Sequence, residues 1–216
     1  MMPVSKITRG IYEIKRLKKD GSIACEHVDC VVNALKNGEI FVMPVDAIYG
    51  LVGINRDDVV KTIKEIAGNR DEHFEFIISN FKMLEDIAHI DKSSYDFLRR
   101  LWPGEVTVQL RKRGCHHDNC VMMRMPRHKY LLDIINRVGM PLVYVPAKNC
   151  IKKMALNEKD IIKKFKNFCS LLIINEFNKT HTMPTIIDIS CDALRIINEG
   201  RVNSEEIKSL YFLGNV

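Results

Sequence analysis

The chain has 216 residues, 46% hydrophobic and 28% charged, with 33 basic against 27 acidic side chains and a net charge of +6. This excludes a disordered or collagen-like chain and allows one packed core. No run approaches the ~20 apolar residues of a membrane span, and the first ten residues lack a secretory signal's apolar stretch. The seven cysteines, an odd number without an export signal, fit reduced thiols, so a cytoplasmic protein is expected. The positive balance permits nucleic acid, nucleotide or anionic partners without requiring any of them.

In chain order, residues 10–24 read as a strand, a turn at Asp20-Gly21 and a short return. Val28, Val31, Val32 and Leu35 recur at helical spacing up to Gly38. EIFVMP reads as a strand ending at Pro44, and the two glycines of DAIYGLVGIN as a turning segment. Val59, Val60, Ile63 and Ile66 form a second helical stripe, closed near Gly68. EFIIS is a strand, KMLEDIAHI a short helix, and SYDFLRRLW a helix capped by Ser93. VTVQL and CVMMRMP form a hairpin around the long RKRGCHHDN connection. Tyr130, Leu131, Ile134 and Ile135 mark another helix. The strand PLVYVP, a lysine-rich helix over about 153–168, the strands LLIIN and TIIDIS, and the tail segments ALRII and EEIKSLYFL follow. Such alternation predicts one α/β domain with a mixed sheet, and the hairpins argue against an all-parallel one.

The usual nucleotide and hydrolase signatures (G-x-G-x-x-G, the P-loop, H-E-x-x-H, G-x-S-x-G) are absent. Two clusters carry zinc-type ligands: Cys25, His27 and Cys30, and Cys115, His116, His117 and Cys120. The alternative is polar turns with incidental thiols, and no metal is assigned.

An ordered set of motifs carries a resemblance: PVDAIYGL (44–51), LWPGEVTVQL (101–110), MRMPRH (123–128), PLVYVPAKN (141–149) and PTIIDIS (184–190). Together they resemble the YrdC-like family, which includes the threonylcarbamoyl-AMP synthases, over about residues 25–200. The resemblance implies a YrdC-like α/β fold, a twisted open mixed sheet with flanking helices around a concave basic cleft. It implies a single domain over 1–216, with 1–24 as an extra N-terminal strand and hairpin. Active members join L-threonine, bicarbonate and ATP into threonylcarbamoyl-AMP for tRNA threonylcarbamoyladenosine, and some bind double-stranded RNA or tRNA.

Carried over residue by residue, the resemblance is incomplete. Where the family has P-T-D-T-x-Y-G-L, this chain keeps Pro44, Asp46, Tyr49, Gly50 and Leu51 but has Val45 and Ala47 for the threonines. Neither replacement can hydrogen-bond through its side chain. In the K-G-R-P region, Arg70 aligns with the arginine and Gly68 with the lysine. In S-A-N, Asn149 remains, with Ala147 and Lys148 before it. Arg124 and Pro126 of R-x-P remain, with His128 nearby. S-T-V-x-D keeps Thr185 and Asp188 but has Pro184 for serine, and Asn198 stands where a later arginine is expected.

Adenylyl transfer concentrates negative charge, and losing one oriented donor costs about 10²–10³ in rate. The resemblance with these losses therefore implies a divergent member that binds nucleotide or RNA (double-stranded RNA or tRNA), with weak or no synthase activity. The alternative is an active synthase, a nucleotidyltransferase, that uses replacements such as Lys148. Ligand contacts are expected at Tyr49, Arg70, Arg124, Lys148, Asn149 and Thr185, and RNA-backbone contacts at Arg111, Lys112 and Arg113. No catalytic residue and no tightly bound cofactor are assigned, and ATP with Mg2+ enters only as substrate. A protein partner from the tRNA modification pathway is a further implication. Trp102 and Pro103 are read as structural, a helix-ending hydrophobic plug, and Asp46 and Asp188 as ordering turns as readily as binding ligand.

Overall fold

The protein is described from a computed structural model covering residues 10–46, 48–68, 74–114, 119–151, 157–174, 182–191 and 193–213. Arg70 and the Cys115–His117 cluster lie outside the described residues. The elements run β1 (Ile11–Ile14), α1 (Cys25–Lys36), β2 (Phe41–Val45), β3 (Ile48–Ile54), α2 (Asp57–Ala67), β4 (Glu75–Ile77), α3 (Phe81–Ile87), α4 (Lys92–Leu101) and β5 (Val106–Arg111). They continue with β6 (Cys120–Arg124), α5 (Lys129–Val138), β7 (Leu142–Pro146), α6 (Ala147–Cys150), α7 (Glu158–Phe165), β8 (Ser170–Ile174), β9 (Thr185–Asp188), β10 (Arg195–Asn198) and α8 (Ser204–Phe212).

The strands form one mixed sheet in the order β1-β8-β2-β3-β7-β4-β6-β5-β9-β10. β2, β3, β7 and β4 are successively antiparallel, while β1 with β8, β8 with β2, β4 with β6 and β5 with β9 are parallel. The central strands β2, β7 and β8 are buried along their whole length, which is why they read as continuous apolar runs rather than alternating ones. Helices cover the sheet through their apolar stripes. Val59 and Ile63 of α2 meet β3 at Gly53, and Phe97 of α4 packs edge-on against Tyr211 of α8 at 5.2 Å. No helix among the described residues is long and apolar enough to cross a membrane.

Four sequence expectations change. The N-terminal hairpin does not form: β1 pairs in parallel with β8, more than 150 residues away, and residues 16–24 form no return strand. The glycines of DAIYGLVGIN do not turn the chain but sit inside β3. A Cβ on Gly53 would stand 2.6 Å from Val59 Cγ1, and one on Gly50 would press on the Tyr144 ring and stand 2.8 Å from Val145 O. Each glycine thus admits a close neighbour. Pro44 lies inside β2 rather than ending it; β8 pairs only with Phe41 and Val42, so the missing N–H of Pro44 falls outside that ladder. Finally, Asp91 rather than Ser93 caps α4, its Oδ1 accepting from Ser94 N at 2.7 Å.

The Gly50 contact yields a prediction. Gly50→Ala should destabilise the protein by about 1–3 kcal/mol through overpacking, seen as a lower urea midpoint at unchanged slope. Tyr144→Phe, which leaves the ring in place, should not relieve that loss.

Candidate functional site around the β2–β3 turn

The turn between β2 and β3 places Asp46 in the left-handed region, at φ +54°. Aspartate is among the few side chains that tolerate this conformation. The carboxylate is 1% exposed and reaches across to the connection between β6 and α5. Its Oδ2 accepts from Arg124 Nη1 at 3.0 Å. Its Oδ1 accepts from the Arg127 backbone N–H at 2.9 Å and lies 3.1 Å from His128 Nδ1. Two residues on, the Tyr130 hydroxyl donates to Pro44 O at 2.6 Å. The turn and the R-x-P segment are therefore locked together by one buried anion.

Arg124 ends β6 and is itself 1% exposed. Besides Asp46, its Nη2 lies 3.3 Å from Glu75 Oε2, and the guanidinium sits 5.4 Å from the Tyr144 ring centroid. Glu75, Met122 and Tyr144 stand side by side across β4, β6 and β7. Thr107 of β5 donates to Glu75 Oε2 at 3.1 Å. One sheet face thus holds a buried polar row within an otherwise apolar core.

The two carboxyls respond to this setting in opposite directions. Burial acts to raise Asp46, but the His128 hydrogen bond, the Arg124 charge and the Arg127 N–H together hold it below the usual carboxylate range. Burial raises Glu75 above its usual range, and the Arg124 charge and Thr107 hydrogen bond do not reverse it. Arg124 stays charged because Glu75 and Asp46 outweigh its own desolvation.

Tyr49 precedes Gly50 in β3, and Lys148 and Asn149 follow β7 in α6, at the same end of the β3–β7 ladder. Gly50 pairs with Pro146, so the residues just before one and just after the other are neighbours. Tyr49 is half-buried, its hydroxyl accepting from Ile174 N at 3.3 Å, and burial pushes its phenol up to about 12. Lys148 and Asn149 are half-buried in α6, which begins where β7 ends. The ammonium of Lys148 pairs with no described carboxylate.

Thr185 lies elsewhere, fully buried at the start of β9. Its hydroxyl donates to Val202 O at 2.6 Å and accepts from Gly200 N and Val202 N at 2.9 and 3.1 Å. Those bonds fasten residues 200–202 to the sheet and occupy the hydroxyl completely.

On the basic turn, Arg113 donates from Nη1 to Glu85 O at 2.8 Å near the end of α3. Lys112 is exposed and Arg111 half-buried. Cys25, His27 and Cys30 do not form a loop as read from sequence but lie on α1. No group of three or more metal-type ligands gathers among the described residues.

Sequence reading underweighted Asp46 and His128 and missed Glu75 as a site residue. The available signal for Glu75 was an acidic residue opening a short apolar strand, which demands a buried partner.

Two outcomes follow. Asp46→Asn should cost about 3–5 kcal/mol in denaturant unfolding, because it leaves Arg124 buried without its ion partner. Asp46 is depressed in the folded state, so its contribution is present above its unfolded value of 3.8 and is lost as pH falls through the lower folded one. The gap between wild type and variant should therefore narrow on acidification. Separately, Thr185→Val should cost about 2 kcal/mol through the unmet backbone groups at 200–202, measured in the same way.

Comparison with known proteins places this geometry. Residues 33–200 match the family model Sua5/YciO/YrdC, described as "Telomere recombination". A protein of Mycobacterium tuberculosis named "Putative threonylcarbamoyl-AMP synthase" is 21% identical over 187 residues, covering 82% of this chain and 85% of the relative. A Mycobacterium leprae protein of the same name is 22% identical over 185 residues, with 82% and 84% covered. The fold matches P. abyssi Sua5 at TM-score 0.80 and 22% identity; the match covers 92% of this chain but spans only 62% of Sua5. E. coli YciO superposes at TM-score 0.77 and 16% identity, with 93% and 100% covered. With the family model spanning most of its length and the same mixed α/β sheet beneath it, the chain belongs to the Sua5/YciO/YrdC family.

Proposed function

We propose that this protein is a divergent YrdC-like protein whose cleft binds a nucleotide or an RNA phosphate group, with weak or no threonylcarbamoyl-AMP synthase activity. The observation that carries this reading is the state of Arg124. The one intact family arginine within the described residues is 1% exposed and faces two internal carboxyls, Asp46 and Glu75. A guanidinium so engaged is not free to steady charge developing on a transferring phosphoryl group. The replaced hydroxyls point the same way, since Val45, Ala147 and Pro184 offer no side-chain donor.

Binding capacity rests on the other side of the site. Lys148 would contribute a cation, Asn149 an amide and Tyr49 a ring from the same end of the β3–β7 ladder, a set suited to a phosphate and a base. Arg70 is the remaining contact proposed from sequence. Lys112, with Arg111 and Arg113, supplies the surface for a longer RNA backbone, which is recognised mainly through shape and phosphates.

The names of the curated relatives favour a second reading, an active synthase consuming ATP, L-threonine and bicarbonate. One experiment separates the two. Pyrophosphate release from ATP is measured with and without threonine and bicarbonate, beside an authentic synthase. The expected result is no substrate-dependent release from folded protein, together with saturable binding of ATP or of an RNA hairpin. Lys148→Ala should weaken that binding about tenfold, the loss of one charge-assisted contact. Threonine- and bicarbonate-dependent release above a mock-purified control would establish the second reading instead.

A further inference from the structure

The buried row around Arg124 contains an asymmetry. Nη1 is hydrogen-bonded to Asp46, but Nε and Nη2 have no hydrogen-bond partner among the described residues. Those two nitrogens form the edge with which arginine grips a carboxylate bidentately. Glu75 Oε2 lies 3.3 Å from Nη2. It is close enough for an ion pair yet not aligned for a hydrogen bond, and the same oxygen already accepts from Thr107.

We propose that the Glu75 carboxyl is a built-in occupant of the Arg124 Nε–Nη2 edge, closing to ligands a guanidinium face that would otherwise hold a small carboxylate or planar oxyanion. The inference rests on the reading of Arg124 given above and names what withholds it.

Three observations carry the proposal. Glu75 is the acidic residue of a three-residue strand whose other positions are apolar, and it is only 4% exposed. Its carboxyl fills a place bounded by Arg124, Thr107 and Tyr144, on the sheet face where Arg124 points. Its carboxyl lies 3.3 Å from Nη2 while neither Nε nor Nη2 gains a hydrogen bond, so the cation is approached without being satisfied. A free carboxylate, unconstrained by a strand backbone, can adopt the forked geometry that Glu75 does not.

The charges nearby agree. Asp46 already balances Arg124, so a second full negative charge in this dry place is unfavourable, and burial raises Glu75 toward its neutral form. The other titratable groups around the row are His128, which faces Asp46, and the phenols of Tyr144 and Tyr130, both held neutral by burial. Because Glu75 is raised, its contribution to stability is present below its unfolded value of 4.5 and is lost as pH rises through the folded one. An occupant of this kind blocks the site at a cost to stability near neutrality.

The test is occupancy of the vacated place. Glu75→Ala opens a carboxyl-sized void against Arg124 and Thr107, and sodium formate is the probe, with sodium chloride at equal ionic strength as control. In thermal unfolding, the variant should gain stability with formate in a saturable manner, and wild type should not. Arg124→Lys in the Glu75→Ala background should abolish the gain, because an ammonium lacks the forked edge. No formate-specific gain in Glu75→Ala, or an equal gain in wild type, would overturn the proposal. Should the alanine variant fail to fold, Glu75→Gln gives the answer. A folded glutamine variant at least as stable as wild type near neutral pH is expected of a neutral occupant, whereas its unfolding would mark Glu75 as an obligatory counter-charge and overturn the idea. The assay reads formate binding rather than turnover, so its failure leaves the reading of the cleft to stand or fall on pyrophosphate release.

Discussion

Much of this molecule's functional face hangs on the carboxylate of Asp46. A single buried anion accepts from a guanidinium, a backbone N–H and an imidazole, all contributed by residues 124–128. It does so from a left-handed turn between two strands of the sheet centre. The hydrogen bond from Tyr130 to Pro44 O also ties the start of α5 to β2. The Asp46 side chain therefore fixes backbone and site together, and the backbone strain at its own position is borne by the contacts it makes.

The same constraint explains why a polar row survives in the middle of an apolar sheet. Isolated, Arg124 would be intolerable at that depth. Paired with Asp46, it becomes a neutral unit around which Thr107, Tyr144 and Glu75 assemble. Glu75 then occupies an unusual position: it is a second acid beside a cation that already has its partner. The opposite directions in which burial and neighbours move the two carboxyls express that order of precedence. The first acid is the hydrogen-bonded counter-ion, and burial moves the second toward its neutral form.

The mixed sheet of the Sua5/YciO/YrdC family is kept in this chain. Arg124 ends β6 with Pro126 two residues on, and Asn149 lies in α6 directly after β7. Val45, Ala147 and Pro184 offer no side-chain donor, and Thr185 directs its own hydroxyl to the 200–202 backbone. The binding set proposed for this chain is Lys148, Asn149 and Tyr49.

The sequence by itself was sufficient for the α/β class, the mixed sheet, the helical stripes and the family, because these depend on local periodicity and on motif order. It also located the segments that make up the site, since PVDAIYGL, MRMPRH and PAKN are contiguous in the chain. It did not reveal which of their polar groups face ligand and which face one another. Arg124 looks like a ligand group when read beside its methionines, and only the crossing of β6 beneath the β2–β3 turn turns it inward to Asp46. Glu75 lies 49 residues before Arg124, and no local pattern links the two; adjacency of β4 and β6 does. The glycines of β3 likewise read as turns because the close neighbours they accommodate, the Tyr144 ring at Gly50 and Val59 of α2 at Gly53, are brought there by packing against the sheet. Hydrogen-bond partners and close packing across a sheet are set by strand order, which is a property of the assembled chain, so only the tertiary structure could decide them.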